Sequence, residues 1–228
     1  MRKLVGFAGC VAFLAVAALT SGSAWAADPG KKAPAMKPVV EPWNPWMIRL
    51  RTLVVEPEDS GKVDQIAGSG LKNSTSTVPE LDVSYFFTPN VAAELILGVT
   101  RHHVTGTGTI TGVDVGKATL LPPTLTLQYH FTNFGAFKPY VGAGPNYTVF
   151  FNQKAAGGVV TAVKFKNTFG VALQAGFDYM LDRHWGLNVD VKKLFLEPDF
   201  NATIGGLART GTDNLNPWLI SGGVTYKF

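Results

Sequence analysis

Eight stretches of this chain alternate apolar with polar residues, and the last of them ends on Phe228 itself. In that run Trp218, Ile220, Val224, Tyr226 and Phe228 share one parity, while Ser221, Gly223, Thr225 and Lys227 share the other. Period-two alternation describes a strand with one greasy face and one wet face. Aromatics at both ends of the greasy face mark a strand that crosses lipid. The other runs lie at about 46–55, 79–87, 91–102, 120–131, 137–151, 168–181 and 185–195. Each holds the roughly nine to eleven residues that a tilted strand needs to cross a bilayer.

The connections alternate as well. Thr88-Pro89-Asn90, Thr132–Ala136 and Asp182-Arg183-His184 read as tight turns, whereas roughly 56–78, 103–119, 152–167 and 196–216 are long and rich in Gly, Thr, Asn and Ser. Short turns on one side and long loops on the other is the outer-membrane arrangement, with the short side periplasmic. The expected fold is all-β: an eight-stranded antiparallel transmembrane up-and-down β-barrel over 46–228, with both ends periplasmic. A soluble sandwich or lipocalin has the same periodicity with its faces exchanged. A secretory leader, aromatics near strand ends and an ionic opposite face decide for lipid. That ionic face carries Arg49, Arg51, Glu80, Asp82, Glu94, Lys138, Asp178, Asp190, Lys192 and Lys227. Eight strands enclose side chains but no wide water channel, so these charges are expected to pair inside as a plug-like network. A general porin needs about twice the strands and is not expected.

The amino end sets the compartment. Arg2 and Lys3 precede an uncharged apolar stretch from Leu4 to Leu19, and Ala24-Trp25-Ala26 supplies a small-x-small cleavage site. Residues 1–26 therefore read as a secretory signal peptide. Cys10, the sole cysteine, leaves with it, so the mature chain is expected to hold no disulfide and no cysteine metal site. Losing Arg2 and Lys3 lowers the formal net charge from +4 to about +2, a balance that predicts no nucleic-acid partner. Residues 27–45, dense in proline and lysine, read as a flexible periplasmic leader outside the sheet.

Motifs for chemistry are weak. His102 and His103 are adjacent, so on a strand they point to opposite faces; a solvated rim pair is expected rather than a metal site. His130 and His184 fall at the periplasmic end. No serine is fixed near a histidine and an acid in a way that suggests a triad, and Gly106, Gly108 and Gly112 do not make a dinucleotide fingerprint. No catalytic, cofactor or metal residues are expected.

Three segments carry a family resemblance. They are Leu121-Pro122-Pro123-Thr124-Leu125-Thr126-Leu127-Gln128-Tyr129-His130-Phe131, Lys138-Pro139-Tyr140-Val141-Gly142-Ala143-Gly144 with Asn146-Tyr147-Thr148, and Trp185-Gly186-Leu187-Asn188-Val189-Asp190-Val191-Lys192-Lys193. With the terminal Tyr226-Lys227-Phe228 they resemble the outer-membrane protein W family, from roughly Trp43 to Phe228. The resemblance implies an eight-stranded barrel with a hydrophobic channel that passes small hydrophobic molecules. It names no substrate, and the proline-rich leader is not part of the family pattern.

If transport holds, the outer end of the channel should be apolar. Candidate lining residues are Leu53, Val55, Leu120 and Phe150, with Ile66, Leu71, Val104, Ile110, Val159, Val160 and Leu207 from the loops. Pro122 and Pro123 cannot donate to a ladder, so they are expected either to open a lateral gate into the bilayer or merely to end the strand and shape a loop. Tyr226 and Phe228 form the terminal aromatic signature that, by resemblance to other barrels, the barrel-assembly machinery recognises. Expected partners are therefore outer-membrane lipid, that machinery and small hydrophobic solutes. Two other classes stay open: a structural or adhesive barrel whose long loops bind outside partners, and a lipid-modifying enzyme.

Overall fold

The alternation resolves into strands that outrun the bilayer. In the computed structural model residues 43–58 and 60–228 are described; the expected signal peptide and nearly all of the leader lie outside them. The strands are β1 Trp46–Glu56, β2 Lys62–Val63, β3 Ser69–Asn73, β4 Ser76–Phe86, β5 Val91–Gly98, β6 Thr100–Gly108, β7 Asp114–Leu121, β8 Thr124–His130, β9 Phe137–Ala155, β10 Val160–Phe165, β11 Thr168–Met180, β12 Trp185–Phe195, β13 Asp199–Ile204, β14 Leu207–Thr212 and β15 Trp218–Lys227. Among the described residues no helix is long and apolar enough to cross a membrane.

Eight of these strands close a barrel in the order β1, β4, β5, β8, β9, β11, β12, β15, with antiparallel neighbours. Closure is made by β15 against β1, with Leu50 opposite Val224 and Met47 opposite Lys227. Closing the sheet leaves no open strand edge, which lipid requires. Leu50, Leu81, Leu95, Leu125, Leu127, Val171, Leu173, Leu187 and Ile220 are exposed on the outer surface. At the tight-turn end aromatic rings cluster edge to face, Trp46 with Tyr85 at 4.9 Å and Trp185 with Tyr226 at 4.8 Å. Such rings suit the membrane interface.

Beyond the lipid the barrel continues. β9 has 19 residues, about 60 Å at the usual rise; its lower part pairs with β8 and its upper part with β7. β10, β13, β14 and β2 form a second, four-stranded sheet at this outer end. Thirteen buried apolar side chains, among them Leu71, Val104, Leu120, Phe150, Phe165, Phe200 and Leu215, make one core there. The long loops of the sequence reading are therefore largely strand, packed into a dome. The run at 120–131 also differs from expectation: it breaks at Pro122-Pro123 into β7 and β8, because neither proline has an N–H for a ladder.

Candidate functional site

Several inward rows change character within one strand. On β1 the buried side chains run Met47, Arg49, Arg51, Leu53, Val55; on β12 they run Asn188, Asp190, Lys192, Leu194. On β15 Thr225 and Ser221 give way to Leu219, and on β5 Glu94 gives way to Ile96. The step from charge to hydrocarbon comes at one level of the lumen.

Below that level the charges form one network. Arg49 grips Asp178 bidentately, with Nε to Oδ1 at 3.0 Å and Nη2 to Oδ2 at 2.6 Å, and its Nη1 also donates to Glu94. Arg51 lies 2.9 Å from Glu80 and 2.6 Å from Asp82. Lys192 bridges Glu80 at 3.1 Å and Asp190 at 2.7 Å. Gln128 and Gln174 each donate to Glu94 Oε1 at 2.9 Å. Buried charges need such saturation, since one left without a partner is heavily penalised. Of the ten residues named for this ionic face, Lys138 and Lys227 stand apart. Both line the periplasmic mouth, where Lys138 Nζ donates to the Thr132 carbonyl at 2.8 Å and Lys227 Nζ lies 4.7 Å from the Phe86 ring centroid.

Tyr140 belongs to the network, although the sequence alone assigned it no such role. Its hydroxyl donates to Asp190 at 2.7 Å, and its ring lies 4.8 Å from the Arg49 guanidinium carbon. The parity it shares with Lys138 and Asn146 was the available signal. Gly176 makes room for it, as a methyl group there would stand 2.6 Å from the Tyr140 hydroxyl. Asn188, Ser84 and Thr225 were missed in the same way, as uncharged members of the polar face.

Directly above the charges lies an apolar pocket. Leu53, Val55, Ile96, Leu120, Leu194, Leu196, Leu215 and Leu219 line it, with Glu80 and Lys192 as its floor. It is slim, with a free volume of about 40 Å³. Leu53, Val55 and Leu120 thus meet here. Phe150 lines a smaller neighbouring cavity with His102, Val104, Phe165 and Asn73. Leu71, Val104 and Val160 are buried in the dome, and Ile66 and Ile110 pack against its core. Val159 and Leu207 are corrections: both are 58 % exposed and line neither cavity.

The histidine pair divides. His103 reaches Asp114 at 2.6 Å on the outside, but His102 is buried, with Nδ1 2.6 Å from the Ser74 carbonyl. The expectation of a solvated pair fails for His102, because inward parity carries it into the dome. Burial holds its imidazole pKa below the ordinary value, against the raising effect of the Ser74 bond. Among the described residues no cluster of three or more His, Cys, Asp or Glu could hold a metal.

Pro122 also lines the apolar pocket, as does Gly98 across from it. The β5–β8 ladder ends at Ile96 opposite Thr124, and the β6–β7 ladder resumes at Thr100 opposite Leu120. Between them Leu97, Gly98 and Val99 face Leu121, Pro122 and Pro123 with no ladder pair. The other side of the proline pair is stitched. Tyr147 N–H donates to the Pro123 carbonyl at 3.1 Å, and the Asn146 amide donates to Pro122 and Pro123 carbonyls at 3.2 and 3.3 Å. Beside the prolines themselves the unpaired side is therefore the one facing β5 and β6, while the β8–β9 ladder skips Leu125 and Thr126 one step below. At the far end of the barrel Phe228 N–H donates to the Trp46 carbonyl at 3.2 Å, and its ring meets Tyr226 at 4.8 Å.

Known proteins share this build. The chain is similar to an uncharacterized outer-membrane protein, y4mB, of Sinorhizobium fredii, at 52% identity over 96% of each chain. It is 32% identical to outer membrane protein W of Escherichia coli over the full length of both. It is 28% identical to the dibenzothiophene metabolism operon protein PahQ of Pseudomonas aeruginosa, over 81% of this chain and 89% of that one. Among solved structures, the outer membrane protein OprG of Pseudomonas aeruginosa superposes with a TM-score of 0.74 at 29% identity, covering 80% of this chain and 95% of that one. The model of the OmpW family matches residues 45–228. With barrel, register and relatives in agreement, the chain is a member of the OmpW family of outer-membrane β-barrels.

Proposed function

We propose that the barrel passes small, uncharged apolar molecules from the cell exterior into the outer membrane, with lateral exit beside Pro122 and Pro123. One observation carries this reading: an apolar pocket rests on an ion-paired floor, next to a ladder interruption that involves its own lining residues. An apolar solute gains by leaving water for the pocket. Crossing the network below would strip charge-assisted bonds with no replacement. The gap between Leu97–Val99 and Leu121–Pro123 offers a shorter path into hydrocarbon. The relative PahQ, named for an operon of dibenzothiophene metabolism, agrees with such a cargo.

The test replaces the prolines together, Pro122→Thr with Pro123→Val, and follows uptake of an apolar fluorescent probe in whole cells. Uptake per folded molecule should fall several-fold while the barrel stays folded. Unchanged uptake would remove the lateral exit.

A structural or adhesive barrel is the second reading. It is favoured by the tightly filled dome and the slimness of the cavity. Cells carrying and lacking the protein should then take up the probe equally. The reading also assigns Tyr226 and Phe228 to recognition by the barrel-assembly machinery. Deleting Phe228 should lower the folded amount in the outer membrane more than transport per folded molecule; the reverse would contradict it.

A further inference from the structure

The outer surface of β6, β7 and β9 changes abruptly where the lipid-facing row ends. Leu97 and Val99 are exposed on one side of that line, and the next outward residue on β6 is Arg101. On β9 the outward row passes Phe151 and reaches Lys154, and β7 presents Lys117. In register, Arg101 stands opposite Thr119 and Thr119 opposite Phe151, while Lys117 stands opposite Lys154. The three cations line one groove of about 420 Å³ together with Thr119 and the Asn152 amide. Asn152 sits at a positive φ of 47°, next to the irregular step in the β7–β9 ladder.

None of the three cations has an ion-pair partner among the described residues. The nearby Asp114 is engaged by His103 at 2.6 Å. Two other outer-end lysines are matched: Lys193 lies 2.5 Å from Glu58, and Lys166 lies 3.4 Å from Asp199. Two lysines directly opposite each other on a sheet face repel. Such an arrangement is stabilised when an anion sits between them. At this height the neighbouring molecule is the headgroup of the outer leaflet, and in an outer membrane that leaflet is built of phosphorylated glycolipid. Arg pairs with phosphate bidentately, and Lys serves it as a point charge.

We infer that Arg101, Lys117 and Lys154 form a binding site for a phosphate group of outer-leaflet glycolipid. The site fixes one lipid against the β6–β7–β9 wall, on the staves that flank the interruption at Pro122-Pro123. It leaves the ion network and the apolar pocket untouched.

The experiment compares the full-length protein with the Arg101→Gln, Lys117→Gln, Lys154→Gln triple variant. Each is reconstituted in phosphatidylcholine vesicles containing lipid A or dephosphorylated lipid A, then extracted in mild detergent. Native mass spectrometry reads the retained glycolipid. The wild type should retain lipid A and not its dephosphorylated form, and the triple variant should lose about a hundredfold in retention. Lys117→Arg with Lys154→Arg should keep it. All three substituted side chains are exposed, and heat-modified gel mobility checks that each variant is folded; Lys154→Gln alone, with a smaller loss, serves if the triple variant is not. Equal retention by wild type and folded variant would overturn the site, as would equal binding of dephosphorylated lipid. Displacement of lipid A by an equal concentration of inorganic phosphate would assign the groove to free phosphate and overturn the lipid assignment.

Discussion

The two halves of this lumen are built on the same strands and filled by opposite chemistry. Around Arg49, Arg51 and Lys192 the inward side chains are polar or charged and cross-linked by ion pairs, over a small apolar cluster of Met47, Phe86 and Ala92; above that level they are mostly hydrocarbon, with Thr100, His102, Thr124 and Thr148 among them. The lower half is held by directional bonds that must all be satisfied together. The upper half is held by burial, which is non-directional and tolerates local rearrangement. A barrel can therefore be sealed and yielding along one axis, and the step between Arg51 and Leu53 on a single strand is where that change occurs.

The sharpest way to break the contrast is Arg49→Met. It leaves Glu94 and Asp178 buried without their shared cation, so the barrel should lose about 3–5 kcal/mol. Urea unfolding of the protein folded into vesicles reads this directly, and a loss within surface-substitution range would mean that the network does not hold the lower half. Phe200→Ala acts in the other half. Phe200 is fully buried in the dome, and its removal should cost about 3–4 kcal/mol locally. Limited proteolysis should then cut more readily within 196–216 while the urea midpoint of the barrel stays put. A midpoint falling in step with that of Arg49→Met would unite the halves and remove the distinction.

Leu53→Asn sharpens the boundary by raising the polar floor one inward position. A poorly paired amide among Val55, Leu194 and Leu219 should cost about 1–3 kcal/mol and lower uptake of the apolar probe more than it lowers folded amount. The smallest effect is expected from pH. Burial lowers the folded pKa of His102, so the folded dome refuses a proton that the opened dome accepts. Stability should be unaffected well above the ordinary histidine value and should fall as pH drops through it. Glu80 and Lys192 share one cavity with His102 and Asp213 shares the other, so the informative quantity is the difference between wild type and His102→Gln in proteolysis against pH. Identical curves would show that His102 does not report dome opening.

The difference between the halves also explains what could be read from the chain. Eight staves and the charged lumen were legible because lipid enforces strict parity: Arg49, Arg51, Asp82, Glu94, Asp178 and Asp190 all fall on the wet side of clean alternations. The dome was not. β3, with the sequence Ser-Gly-Leu-Lys-Asn, contributes one core residue, Leu71, and β2 pairs with β14 across about 150 residues of chain. No local period records such pairing. β4 begins at Ser76 rather than Pro79, and its ladder with β5 has ended by Glu80 opposite Gly98, so the proline interrupts nothing there. Pro122 and Pro123 were conspicuous, but which side of their strand lacks pairing depended on Asn146 and Tyr147, more than twenty residues away.

The central claim is that an apolar solute leaves above the charged floor and not through it. The direct measurement adds an apolar fluorescent probe to the outer face of vesicles holding the oriented protein. It times arrival in the bilayer, read by quenching from brominated lipid, against arrival in the vesicle interior, read by a trapped aqueous quencher. Arrival in the bilayer first, slowed by the Pro122→Thr, Pro123→Val variant, is the predicted result. Arrival in the interior first, at a rate indifferent to that variant, would contradict it.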